Sequence, residues 1–279
     1  MRKTRMSIAL LVLALTGALA STVAIAATIT GTRQSERITG TSDPDTINSR
    51  GGHDAIRSLA GDDVVRAGWG HDRVLAGPGN DTVDGNFGRD RLFGAEGDDA
   101  LAGGPSRDRL FGGIGNDRLE GGGWADALYG GAGNDQSDGG WGRDRLHGGS
   151  GDDVQDGGPG GDLITANLGA DHSSGGAGDD RLWAVARGDV QPGPNGEVDT
   201  VGDTLDGGAG DDRIHTRDGE VDTVTCGPGT DVAILDEVDV IADATPTAPD
   251  GSCEVVRRAA PQPADAAQEP NTDHETTQE

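Results

Sequence analysis

Aspartate returns at every ninth residue across about half of this chain, at Asp45, Asp54, Asp63, Asp72, Asp81, Asp90, Asp99, Asp108, Asp117, Asp126, Asp135, Asp144, Asp153, Asp162, Asp171 and Asp180. A period held through sixteen units demands a repeating structural element and overrides local propensity. Glycine stands two residues before the aspartate in thirteen units, with Asp43, Ser106 and Trp124 as the exceptions. Ile, Val or Leu stands two residues after it in thirteen, with Ser137, Gln155 and Ser173 as the exceptions. The clearest units read GGIGNDRLE (112–120) and GGAGDDRLW (175–183).

Each part of the unit has a physical task. Glycine admits positive φ and close backbone approach in a tight turn, aspartate supplies a hard oxygen ligand, and the aliphatic residue begins a buried strand. Three strand residues cannot bury a core alone, so successive coils must stack in parallel about 4.8 Å apart. Stacking also stacks the carboxylates, and columns of like charge at that separation oppose the fold unless a cation lies between them.

This pattern resembles the repeats-in-toxin, or haemolysin-type, calcium-binding repeat G-G-x-G-x-D-x-U-x, continuously over residues 40–183. The resemblance implies an all-β, right-handed parallel β-roll (a solenoid) with two nonapeptides per coil, six residues turning around calcium and three forming a strand. Each aspartate above then becomes a calcium ligand shared with the neighbouring coil and helped by turn carbonyls. The departures at Asp43, Ser106 and Trp124 leave the turn geometry open in those units. GTRQSERIT (31–39) carries Glu36 in the aspartate position, so residues 27–39 read as an N-terminal capping repeat.

Two units per coil predict that residues eighteen apart share a face and that alternate units differ. The eight units starting at residue 49 and every eighteenth residue after it hold ten arginines and nine acidic residues. The intervening eight, starting at residue 40, hold two arginines and seventeen acidic residues. Flanking the inward residue, the basic side presents Arg73, Arg91, Arg109, Arg145 and Arg181 beside Leu75, Phe93, Phe111, Tyr129, His147 and Trp183. The other side presents Asp84, Ala102, Glu120, Asp138, Asp156 and Ser174. Arg73, Arg91, Phe93, Arg109, Phe111, Tyr129, Arg145 and Trp183 are therefore a candidate binding face for an extracellular polysaccharide, a cell surface or an acidic face of another molecule. The alternative is cross-strand stacking that only supports a thin sheet.

The ends place the chain outside the cell. Arg2, Lys3 and Arg5 precede an apolar run from Ile8 to Ala20 and the small-residue pattern of Ala24, Ile25 and Ala26, which reads as a signal peptide over residues 1–26. The apolar stretch is short for a bilayer span and no later segment replaces it. Losing the leader takes the formal charge from −27 to −30, which disfavours nucleic acid as a partner. With 50 glycines in 279 residues and 3% aromatic content, only a regular pattern or a bound cation restores order.

After Trp183 the register breaks and resumes through Asp203 and Asp212, so residues 184–215 read as an irregular continuation with two more candidate ligands. Residues 216–256 read as a cap in which a Cys226–Cys253 disulfide is favoured over two separate thiols. This segment resembles the disulfide-closed end of related secreted bacterial calcium-binding proteins. Residues 257–279, rich in Pro, Ala, Gln and acids, read as a disordered tail.

HExxH, GxSxG and phosphate-loop patterns are missing from the sequence. Asp171, His172 and Ser173 are adjacent on one strand, where neighbours alternate faces, so they make a poor triad. His53 and His71, eighteen apart, are expected to stack as exposed turn histidines. The expectation is a secreted calcium-binding roll without catalytic activity, serving as an extracellular binding or structural module. Self-assembly into a matrix and service to a secreted hydrolase are the alternatives.

Overall fold

A computed structural model describes residues 26–185, 202–216, 218–244 and 251–258. The signal-peptide reading falls outside these residues except for Ala26, and the tail reading except for Arg257 and Arg258. Among the described residues there are twenty-four strands and no helix.

Counted along the chain, odd-numbered strands form one twelve-stranded sheet and even-numbered strands a second, every pairing parallel. The two sheets are called odd and even below. Pairing joins residues eighteen apart, as in Leu92 with Leu110 and Leu110 with Leu128. Two nonapeptides therefore make one coil, as the family resemblance implied and the alternation of charge supported.

Side-chain alternation explains the strands. In Thr46–Asn48 only Ile47 is buried, and Arg118, Leu119 and Glu120 repeat the pattern of exposed, buried and exposed. The inward residues form two columns running from Ile29 and Ile38 to Ile241 and Ala233, aliphatic except at Ser137, Gln155 and Ser173 of the odd sheet. Mid-roll strands such as Arg109–Ile114 extend to six residues and carry the chain into the next corner.

The three departing units keep the roll. Ser106 and Trp124 hold φ at +133° and +81°, the side of the backbone map that glycine favours, so the turn persists at a cost in local strain. In the unit of Asp43, Thr41 and Asp43 instead build a hydrogen-bonded turn, the Thr41 hydroxyl accepting the Asp43 amide at 3.2 Å. Ser137, Gln155 and Ser173 are buried in three successive odd strands whose register is unbroken. Gln155 and Ser173 hydrogen-bond there at 3.0 Å.

The C-terminal segment continues both sheets. Arg181 pairs with Arg213, thirty-two residues on, so strand pairing resumes in register across a separation longer than the eighteen-residue coil. Thr223–Thr225 and Val240–Ile241 then extend the odd sheet, and Val232–Leu235 and Val255–Arg258 the even one. The Cys226–Cys253 disulfide, with Cα atoms 5.2 Å apart, ties the residue after Thr225 to the turn before Val255. Both cysteines are buried in the hydrophobic core. Arg257 and Arg258 belong to that last strand.

Candidate metal centre

All eighteen aspartates singled out by the sequence are inside the roll, each between 1% and 3% exposed. They form two columns, one per turn edge, linked by one recurring bond. In the column from Asp45 to Asp203, the amide of Asp99 donates to Oδ1 of Asp117 at 2.8 Å, and Asp117 to Asp135 at 2.8 Å. In the column from Asp54 to Asp212, Asp90 donates to Asp108 and Asp108 to Asp126, both at 2.7 Å. One carboxylate oxygen per coil thus satisfies the backbone of the coil before it.

The other oxygen is left over. Among the described residues, seventeen aspartates have a buried Oδ2 with no hydrogen-bond partner, including Asp72, Asp90, Asp108, Asp126 and Asp144. Burying an ionised carboxylate without compensation is strongly unfavourable, and the acid responds by holding its proton. Burial pushes Asp90 up to about 8 against an amide bond from Asp72 that lowers it, and the charges of Asp108 and Asp72 raise it further. Asp126 is raised to about 8 by the same causes, and Asp153 to about 8. Asp203 reaches about 9, chiefly through burial and then the charge of Asp171.

This surplus of desolvated anionic oxygen suits a hard divalent cation, which accepts carboxylate and carbonyl oxygens together. The first glycine of a unit shows where they converge. The point a Cβ on Gly103 would occupy lies 2.8 Å from Oδ2 of Asp108 and 2.8 Å from the carbonyl oxygen of Gly121, one coil on. At Gly157 the corresponding distances are 2.6 Å to Asp162 Oδ2 and 2.7 Å to the Gly175 carbonyl. A side chain at Gly103 or Gly157 would therefore crowd the carboxylate and a turn carbonyl from the next coil that faces the same space, although Ser49, Ser58, Ala67, Ala76 and Ala166 hold the first position in other units. Among the described residues no three His, Cys, Asp or Glu side chains gather around one point, so a cation there would draw on backbone carbonyls besides carboxylates. Calcium held by such a set neutralises charge that burial otherwise penalises.

Asp45 and Asp171 differ, since their Oδ2 atoms accept the amides of Thr41 at 2.6 Å and Asn167 at 2.8 Å. The columns also continue beyond Asp203 and Asp212. The Asp203 amide donates to Asp222 and that of Asp222 to Asp239; Asp212 donates to Asp231 and Asp231 to Glu254. Sequence reasoning missed these four because the spacing changes to 19, 17 and 23 residues. At the other end Glu36 fills the aspartate position, and its longer side chain turns back to accept from the Thr32 amide and hydroxyl. Glutamate thus ends this column at both termini.

The candidate binding face forms in part as a self-satisfied stack. Phe93, Phe111 and Tyr129 lie face to face with centroids 4.8 Å apart, and Tyr129 meets His147 at 5.1 Å. The guanidinium of Arg73 lies 5.2 Å from the Phe93 centroid. Their flat faces are used on each other and the rings are half-buried, so they offer edges outward. Trp183 is apart from this ladder, tilted against His215 at 4.7 Å, with Thr165 between it and His147. The most exposed aromatic residues lie elsewhere: Trp69 at 65%, Trp124 at 69% and Trp141 at 73%, on the turn edge leading into the even sheet. Their signal was the third or fourth position of the basic-side units, which strand periodicity does not weigh.

His53 and His71 stack at 4.8 Å, and each Nδ1 accepts a backbone amide, from His71 and Arg89 respectively, at 2.7 Å. His172 is exposed and Ser173 fully buried, so these neighbours do not face one another.

Stacked nonapeptide coils with columns of inward carboxylates define a parallel β-roll built to hold cations. The family model described as RTX calcium-binding nonapeptide repeat (4 copies) matches residues 30–65, 66–101, 93–126, 102–137, 111–146, 120–155, 138–173, 147–182 and 201–232. The chain belongs to that family and is a calcium-binding β-roll protein. No curated protein matches it. Among the described residues no helix is long and apolar enough to cross a membrane.

Proposed function

We propose that this protein is exported and folds outside the cell in response to calcium, with the eighteen aspartates from Asp45 to Asp212 as ligands in company with turn carbonyls. One observation carries the reading: fifteen of these aspartates, with Asp222 and Asp231 beyond them, bury a carboxylate oxygen that has no partner of its own. A chain that must desolvate so many carboxylates resists coiling until cations bind the coiled form. Binding free energy then becomes folding free energy. Millimolar extracellular calcium is the range in which modules of about 10⁻⁴ to 10⁻³ M affinity operate.

The leader at residues 1–26 and the closed Cys226–Cys253 bridge support export to an oxidising compartment. The folded roll serves as a binding or structural module with no catalytic chemistry of its own. A calcium titration of the mature chain by far-UV circular dichroism, with magnesium as control, tests the coupling. A cooperative gain of β signal with calcium alone is expected; a spectrum indifferent to calcium removes the reading.

A further inference from the structure

We infer that the calcium-loaded roll pairs with a second copy of itself, the arginine-bearing face of one molecule against the carboxylate-bearing face of the next. The inference rests on the calcium-coupled reading above, which makes the folded roll the species that associates.

Burial separates charge far more sharply than the sequence count does. In the eight basic-side units, eight of the nine acids are column aspartates hidden inside the roll. What that side shows to solvent is ten arginines and Asp179. On the acidic side eight aspartates are likewise hidden, leaving nine surface carboxylates and two arginines, Arg66 and Arg118. Most coils of the middle are thus positive on one side and negative on the other, the unit of Ala127 lacking an arginine.

Two columns carry the opposition. On the even sheet Arg73, Arg91 and Arg109 succeed one another in register, followed after Ala127 by Arg145. On the odd sheet Asp84, Ala102, Glu120, Asp138 and Asp156 do the same. Each column repels itself, and a facing column of opposite sign relieves both. A second copy is singled out by spacing. Both columns advance by one coil per residue, the step seen as 4.8 Å between stacked rings, so two copies with parallel axes stay in step, and charge meets charge wherever neither column is broken by Ala102 or Ala127. Between its carboxylates the odd face carries Thr82, Ala100 and Ala102, small side chains against which the outward ring edges of Phe93, Phe111 and Tyr129 can lie. The contact joins unlike faces, so each pair leaves one face of each kind open and association continues as a stack.

Sedimentation velocity on the mature chain in saturating calcium reads this directly. Species heavier than the monomer are expected to grow with protein concentration and to dissolve as sodium chloride screens the faces. Two variants sharpen the test: one with Arg73→Glu, Arg91→Glu, Arg109→Glu and Arg145→Glu, the other with Asp84→Lys, Glu120→Lys, Asp138→Lys and Asp156→Lys. Each alone is expected to sediment as a monomer, and an equal mixture to associate, because one then has two negative faces and the other two positive. The single changes Arg109→Glu and Glu120→Lys give a partial loss should either fourfold variant not fold. A folded wild-type monomer at every concentration, association indifferent to both reversals, or a mixture no heavier than its parts overturns the pairing. So does a monomer retained on immobilised dextran sulfate through the same arginines, which assigns the face to a polyanion. Circular dichroism on the same samples reads the calcium coupling separately, and a roll folded without calcium still reports on the pairing.

Discussion

Replacing Asp126 by asparagine is expected to stabilise the roll without calcium and destabilise it with calcium. Asp126 is 3% exposed; its Oδ1 accepts the Asp108 amide at 2.7 Å and its Oδ2 has no partner. Its acidity is displaced from 3.8 to about 8, first by burial, against the Asp108 amide bond, and then by the charges of Asp108 and Asp144. At pH 7 the unfolded chain keeps this group ionised, whereas the metal-free fold must protonate it. That proton is taken up about three pH units above the ordinary value, at about 1.4 kcal/mol per unit, so the penalty is about 4 kcal/mol. Asparagine carries no such penalty and still offers an oxygen to Asp108. With calcium the sign reverses, because the same change removes the charged ligand and with it part of the binding free energy that holds the coils. Far-UV circular dichroism measures both arms. In a chelator, D126N should keep its β signal to higher pH than the wild type, and in calcium it should need more calcium to gain it. A shift in the same direction in both conditions refutes the assignment of Oδ2 to a cation.

Three further outcomes follow from the same geometry. The raised aspartates favour the protonated fold, so the metal-free roll is most stable below the ordinary carboxylate value and loses that stability as pH rises through about 6 to 9, the span from Asp72 to Asp203; circular dichroism against pH should lose this transition in calcium. Gly103→Ala places a methyl 2.8 Å from Asp108 and the Gly121 carbonyl, whereas a methyl at Gly123 meets nothing within 4 Å. The first should raise the calcium needed to fold and the second leave it within about 0.5 kcal/mol of wild type. Opening the Cys226–Cys253 bridge, whose partners are 27 residues apart, should cost about 3 to 4 kcal/mol in chain entropy, read as faster hydrogen exchange in Val232–Leu235 while mid-roll amides stay protected.

The stacking of coils was legible because one period governs every unit. Asp at every ninth residue, with an aliphatic residue two places on, leaves a thin chain no other way to bury Leu110 or Leu128 than against the coils above and below. The charge split between alternate units supported the eighteen-residue coil that the family resemblance implied, and the closing bridge was expected from two cysteines in one C-terminal segment of a chain read as exported. Legibility ended where the period did. Asp222, Asp231, Asp239 and Glu254 join the columns across spacings that carry no sequence signature, since backbone pairing with the previous coil chooses them.

Sequence alone also determined which residue types alternate, and therefore that the roll is a stack of carboxylate-bearing turns. Only the tertiary structure decided what each carboxylate does. Stacking withdraws all eighteen singled-out aspartates from water, assigns one oxygen to the preceding coil and, in most of them, leaves the other without a partner. The same burial removes nearly all negative charge from one side of the surface, and stacking turns the rings of Phe93, Phe111 and Tyr129 toward one another. These are consequences of distance between coils, and a linear sequence does not contain distances until the chain has closed each turn.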